Sequence, residues 1–309
     1  MPDIVVMFFL LGLIAGVVKS DLEIPKAAYD VLSLLLMLTI GLKGGMALYG
    51  TLSWRLLPEL LAIACLGFII PALLFPVLRH FVKLTLADCA SFAAHYGSVS
   101  AGTFAVALAY AESNAMLVGG QVTLYLVLLE LPAIIFGLII FNKLSQKKEP
   151  SSYKHIVHES FTNSSVILLI GGVVIGSLYG PFQGATVTDL YTSAFKGLLA
   201  LFLLEMGLVA SSALLKISFD KWRVVLFALL MPSLLAIIGI QVGQFIGLPD
   251  GSILVLACLT ASASYIAAPA AIRSAIPQAD IGLVMLASLG ITFPFNVLIG
   301  IPLYHSWIS

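Results

Sequence analysis

The segment "HYGSVSAGT", residues 95–103, sets the hydroxyls of Tyr96, Ser98, Ser100 and Thr103 in a run otherwise apolar enough to lie in a bilayer. A second segment, "TASASYIAAPAA" at residues 260–271, repeats the pattern with Thr260, Ser262, Ser264 and Tyr265. Hydroxyls supply donors and acceptors without fixed charge. They suit a small hydrated oxyanion that must bind and then leave, which a permanent arginine clamp would retain. The backbone points the same way. Gly97 and Gly102 weaken a helix through backbone entropy, and Pro269 removes a donor and clashes with the carbonyl four residues earlier.

A helix can be interrupted inside a membrane only where protein or a wet cavity satisfies the freed peptide groups. Both segments are therefore predicted to be discontinuous at equivalent depth. Where two such helices cross, N-terminal ends offer N–H groups and a positive dipole to an anion, and C-terminal ends offer carbonyl oxygens to a cation such as sodium. Serine, threonine and glycine also recur wherever membrane helices pack closely. Clustering at matched positions of two segments favours a site over packing alone.

Ionisable groups inside a membrane are costly and default to functional candidates. Glu130, two residues before Pro132, is the best acidic candidate for a coupling ion or proton, and Asn296 beside Pro294 is a neutral oxygen donor at similar depth. Thr103, Thr260 and Ser262 complete the candidate sodium ligands. Asp88 and Glu112 fall near helix ends and are read as solvated, Lys43 and Glu205 as a possible ion pair, and His95 as a satisfied interior histidine. Glu59 is a further acidic residue of the spans. An intramembrane hydrolase using Ser98 with His95 is the remote alternative, since residues three apart on a breaking helix have no assured geometry and no GxSxG elbow is present. The cysteines Cys65, Cys89 and Cys258 have neither CxxC nor metal-ligand spacing.

The elements that must position these residues are apolar runs about as long as the roughly 20 residues needed to span a bilayer. Hydrophobic residues make up 61% of the 309 and charged ones 10%, with a mean hydropathy of +1.11. That composition marks an integral membrane protein, and the balance of 15 basic and 15 acidic residues gives no reason to expect nucleic acid. Helices are expected at about 3–18, 28–49, 55–79, 85–111 and 115–142, then at 162–180, 190–214, 222–246, 251–274 and 281–308. The run at 4–18 lacks a basic leader and reads as a first helix rather than a signal peptide.

The two sets of five resemble each other. "IGLKGGMAL" (40–48) lies over "MGLVASSAL" (206–214), Trp54-Arg55 over Trp222-Arg223, and Cys89 and Tyr96 over Cys258 and Tyr265. The reading is an all-α polytopic membrane protein of ten transmembrane helices. Two five-helix repeats, residues 1–141 and 162–309, flank a linker at 142–161. Five is odd, so the second copy enters from the opposite side, an inverted repeat of the kind used for alternating access. With a cytoplasmic linker, one face collects Lys19, Lys26, Arg79, Lys83, Lys143, Lys147, Lys148, Lys154, Lys216, Lys221, Arg223 and Arg273, and both termini lie outside the cytoplasm.

"IGLKGGMAL", "AAHYGSVSAGTF" and "SASYIAAPAAIR" resemble the signature segments of the sodium-dependent bicarbonate transporters of the SbtA type, best known from cyanobacteria, and the likeness runs over essentially the whole chain. The resemblance implies an elevator-like trimer in the plasma (inner) membrane that takes up bicarbonate with sodium. Helices 1, 2, 6 and 7 would form a gate or scaffold, and helices 3–5 and 8–10 a transport core. It places bicarbonate at Tyr96, Gly97, Ser98, Val99 and Ser100 and at Ser262, Ala263, Ser264, Tyr265 and Ala267, with sodium close by. It also implies a small PII-like regulatory protein on the cytoplasmic face, although the middle linker is shorter than in the cyanobacterial members. The alternative cargo is another small anion, such as a short carboxylate. No enzymatic activity is expected.

Overall fold

A computed structural model describes residues 3–50, 53–145, 162, 164–215 and 219–308. Most of the expected linker, with Lys147, Lys148 and Lys154, lies outside the described residues, as does Lys216. Every regular element among the described residues is helical: α1 (Ile4–Val17), α2 (Lys26–Leu48), α3 (Trp54–Val82), α4 (Leu86–Gly97), α5 (Ala101–Ser113), α6 (Val122–Leu144), α7 (Ser164–Gln183), α8 (Ala185–Leu214), α9 (Trp222–Phe245), α10 (Asp250–Thr260), α11 (Ala267–Ala275) and α12 (Ile281–Ile308).

Seven of these, α2, α3, α6, α7, α8, α9 and α12, are long and apolar enough to cross a membrane. The expected spans at 85–111 and 251–274 are each split, into α4 and α5 and into α10 and α11. The expected first span is a helix of 14 residues, short of the roughly 20 that a bilayer needs. The expected span from 115 becomes helical only at Val122, because the chain turns at Asn114, places Ala115 at positive φ and then passes through Gly119 and Gly120.

Caps fix the ends that matter. The Thr85 side chain accepts from the Asp88 N–H to start α4, and Ser100 does the same for Thr103 at the start of α5. α12 is wound partly as π-helical turns, at Leu286–Thr292 and Asn296–Gly300 around Pro294. Such turns shift the register of the side chains that follow.

Two helix pairs make the most extensive side-by-side contacts: α1 lies along α8 and α2 along α7. Their contact surfaces are glycine stripes that allow backbones to touch. A Cβ on Gly172 would meet Leu38 O at 2.8 Å, and one on Gly176 would meet Leu42 O at 2.5 Å. Gly41 and Gly45 face back onto the Leu169 and Val173 carbonyls. In the other pair, Gly12 faces the Leu204 carbonyl, Gly16 the Ser211 side chain and Gly207 the Phe9 carbonyl.

The packing makes a signed prediction. Gly176→Ala is expected to destabilise the protein by about 1–3 kcal/mol, the range for overpacking a tight contact. Gly171→Ala, five residues away with nothing within 4 Å, is expected to be neutral or stabilising by up to about 1 kcal/mol. Thermal midpoints in detergent check both; equal shifts would contradict the glycine stripe.

The remaining helices form the body around the interruptions. α4 packs against α3 and α6, α10 against α9 and α5, and α11 against α4 and α6. Gly97 is required where α4 meets α3, since a Cβ there would lie 2.7–2.9 Å from the Pro71 ring.

Candidate functional site

The two interruptions meet. α4 ends at Gly97, Ser98 follows with extended backbone, and α5 starts after Ser100. α10 ends at Thr260 and α11 starts at Ala267. The segments bond across the gap: the Ser100 N–H donates to Ser262 Oγ at 2.8 Å, and the Ser264 N–H donates to the His95 carbonyl at 2.8 Å. Ser262 Oγ passes its own proton to the Leu259 carbonyl at 2.7 Å, and Ser264 Oγ accepts from the Ala268 N–H at 3.2 Å. Peptide groups released by one break are thus partly satisfied by the other.

The ends of α5 and α11 bring two positive helix termini to the gap, and the ends of α4 and α10 bring carbonyl oxygens. Thr103 Oγ1 donates to Ser100 Oγ at 3.0 Å. The Tyr265 hydroxyl reaches the first turn of α5 beside Gly102. Beside this crossing lies a small cavity in which the centres of water-sized bodies have ≈ 30 Å³. Val99, Ser100, Ser264, Tyr265, Ala267 and Glu130 line it, with apolar walls from Met37 of α2, Leu126 of α6 and Val166 and Leu169 of α7.

The sequence-predicted residues divide into those at the cavity and those that support it. The Tyr96 hydroxyl lies 2.8 Å from Thr292 Oγ1, whose own proton goes to the Ala228 carbonyl at 2.8 Å, so Tyr96 is the donor and faces α9 and α12. Its ring packs edge-on against Phe227 at 4.9 Å. Thr260 Oγ1 bonds the Leu235 and Ala257 carbonyls, at 2.9 and 3.0 Å. Asn296 Nδ2 donates to the Ala261 carbonyl at 2.8 Å, and Tyr304 holds Asn296 Oδ1 at 2.8 Å, so the amide fastens the end of α10 to α12. Ser98 and Ala263 are buried in the gap, with Ser98 Oγ unpaired among the described residues. Glu130, alone among the candidate ligands, brings a carboxylate to the cavity wall.

Three readings of ionisable side chains are corrected, those of Lys43 with Glu205, of Asp88 and of His95. Lys43 does not pair with Glu205: its ammonium is 2.6 Å from Glu112 Oε1 and 4.4 Å from the Phe195 ring centre. Glu205 lies ten residues beyond Phe195 on the same helix, about 15 Å away at the α-helical rise. Glu112 is therefore paired as well as half-exposed. Asp88 is buried and bonded, accepting from Thr85 Oγ1 at 2.7 Å and from the Asp280 N–H at 2.8 Å, which ties the start of α4 to the start of α12. His95 is only half satisfied. Its Nδ1 must donate to the Ser91 carbonyl 2.7 Å away, leaving Nε2 without a partner among the described residues. Ser98 Oγ and His95 Nε2 are not bonded to each other, which removes the nucleophile–base contact that a hydrolase needs.

Thr292 and the apolar walls were missed. Thr292, beside Pro294, had a usable signal as a hydroxyl in a proline-bearing span. Met37, Leu126, Val166 and Leu169 had none, being ordinary residues of apolar helices.

Two interrupted helices bonded at their breaks, in a multi-pass protein whose described residues are helical, are a feature of secondary-transporter folds. The chain matches the Na+-dependent bicarbonate transporter superfamily over residues 4–309, and it belongs to that superfamily. Membership makes it a transporter rather than an enzyme, with sodium as the coupling ion. No curated protein matches the chain.

Proposed function

We propose that the chain takes up bicarbonate across the plasma (inner) membrane together with sodium, by an elevator-like movement of a core that carries the two interrupted helices. The observation that supports this most is the crossing itself: two breaks that bond to each other beside a cavity holding one carboxylate and several hydroxyls. Bicarbonate sits at the Tyr96–Ser100 and Ser262–Ala267 breaks, on the positive ends of α5 and α11. Sodium is held by carbonyl oxygens and hydroxyls of the same breaks, with Glu130 supplying the compensating charge. Competition by unlabelled short carboxylates, which are close to bicarbonate in size, separates the two cargoes.

Two further observations support an inverted repeat of ten crossings. The stripe Gly12 and Gly16 in α1 has a counterpart in Gly172 and Gly176 of α7, and Gly41 and Gly45 in α2 has one in Gly207 and Ser211 of α8. The resulting pairs, α1 with α8 and α2 with α7, exchange under a two-fold axis. We assign these four helices to the gate and the others to the core. The basic face, taken as cytoplasmic, orients the linker inward and both termini outward. The trimer and the PII-like partner rest on the family resemblance.

Uptake of labelled bicarbonate into proteoliposomes tests the cargo. An inward sodium gradient is expected to drive accumulation, and uptake indifferent to sodium would refute the proposal. The division into gate and core has its own test at the contact of α2 with α5. In a Cys65→Ser background, Lys43→Cys with Glu112→Cys should cross-link on oxidation and arrest uptake, with recovery on reduction. Removing both members of the ion pair together leaves no unpaired charge behind and is expected to change stability little. Full uptake by the cross-linked protein would place α2 and α5 in one rigid body.

A further inference from the structure

On the outer surface of the body, between the end of α3 and the start of α9, lies a groove of ≈ 470 Å³. Its walls are Val77, Phe81, Leu226 and Leu230, and its mouth carries Trp222 and Arg223. The walls face outward: Phe81 is 76% exposed and Leu230 53%. In a membrane protein such a surface contacts acyl chains. Aromatic side chains at its end mark the level of the headgroups.

The charge at the mouth narrows the occupant. Arg79 and Lys83 flank Phe81, and Lys221 and Arg223 flank Trp222, against one nearby acid in the sequence, Asp220. Arg79 is turned to the Leu84 carbonyl, at 2.9 Å. The Arg223 guanidinium lies 5.3 Å from the Trp222 ring and has no carboxylate partner among the described residues. A basic pocket between membrane helices, opening at one leaflet, fits an anionic lipid headgroup. The planar guanidinium matches a phosphate through two parallel hydrogen bonds.

We propose that this groove is a binding site for one anionic phospholipid, with an acyl chain along α3 and α9 and the phosphate on Arg223. The inner wall includes Phe227, the residue on which Tyr96 packs. A bound lipid therefore supports the interrupted α4 from behind. The site is independent of the cargo and would stand if the transported anion proved to be another.

The test is native mass spectrometry of the purified full-length protein in detergent, offered phosphatidylglycerol and phosphatidylcholine with identical chains. The protein should retain phosphatidylglycerol preferentially. Arg223→Gln should cut that preference about fivefold, the effect of one basic residue at an anionic surface. Leu230→Trp, which fills the groove and leaves the charges in place, should reduce retention of both lipids. Equal retention of the two lipids by the unaltered protein would overturn the proposal, as would unchanged preference in Arg223→Gln together with unchanged retention in Leu230→Trp. Displacement of phosphatidylglycerol by glycerol phosphate at equal concentration would point to a soluble anion instead, and would overturn it too.

Discussion

Glu130→Gln is expected to reduce sodium-driven bicarbonate uptake roughly a hundredfold while leaving the protein folded. Glu130 lines the cavity with Ser100 and Ser264 and makes no hydrogen bond to a described protein group. A fixed negative charge and a sodium ion about 4 Å apart attract by about 4 kcal/mol at an effective dielectric constant near 20. Desolvation opposes part of this, and a net loss near 3 kcal/mol corresponds to about two decades in affinity. Glutamine keeps the shape and one oxygen, so the cavity wall that Glu130 forms is retained. Stability should hold or rise slightly, because an isolated carboxylate in a membrane interior is itself costly. The measurement is uptake against sodium concentration. A right-shifted or flat sodium dependence is expected. An unaltered curve would remove Glu130 from the coupling and leave sodium to the carbonyls and hydroxyls of the breaks.

The interruptions were legible because their cause is local. Gly97 and Gly102 in one segment and Pro269 in the other disfavour a continuous helix whatever surrounds them, and the observed ends at Gly97 and Thr260 fall inside the segments that carry the hydroxyls. The division of labour among those hydroxyls was not legible. Ser100, Ser262 and Thr260 look alike in the sequence. Yet Ser262 bridges the breaks, Ser100 caps α5, and Thr260 turns away to the Leu235 carbonyl.

Partners distant in the chain were the hardest to read. Lys43 and Glu205 were joined because both belong to the two similar segments around 40–48 and 206–214, and such a likeness does not say which side chains meet. Lys43 finds Glu112 instead. The glycine stripes did have a readable spacing of four, at Gly12 and Gly16, Gly41 and Gly45, and Gly172 and Gly176. That spacing names the faces that approach closely and leaves open which helix each one meets.

The contact between Gly102 and Tyr265 gives the second large effect. Gly102 opens α5, and a Cβ there would fall on the Tyr265 hydroxyl of the other break, with Phe202 at 3.0 Å and Phe293 at 3.2 Å on either side. Phe293 also holds the Tyr265 ring edge-on at 5.6 Å, so the hydroxyl cannot swing aside freely. Gly102→Ala should therefore push the two breaks apart at a cost of about 1–3 kcal/mol, lowering uptake by roughly ten- to a hundredfold. Tyr265→Phe alone removes the hydroxyl and should have the smaller effect. The double variant carries the diagnostic. If the clash is between this methyl and this hydroxyl, Gly102→Ala should be less damaging in the Tyr265→Phe background, with a coupling of about 1 kcal/mol or more. Rescue should be incomplete, since Phe202 and Phe293 stay in place. Strictly additive losses would mean that the two breaks tolerate displacement independently, and a site shared between them could not depend on their mutual position.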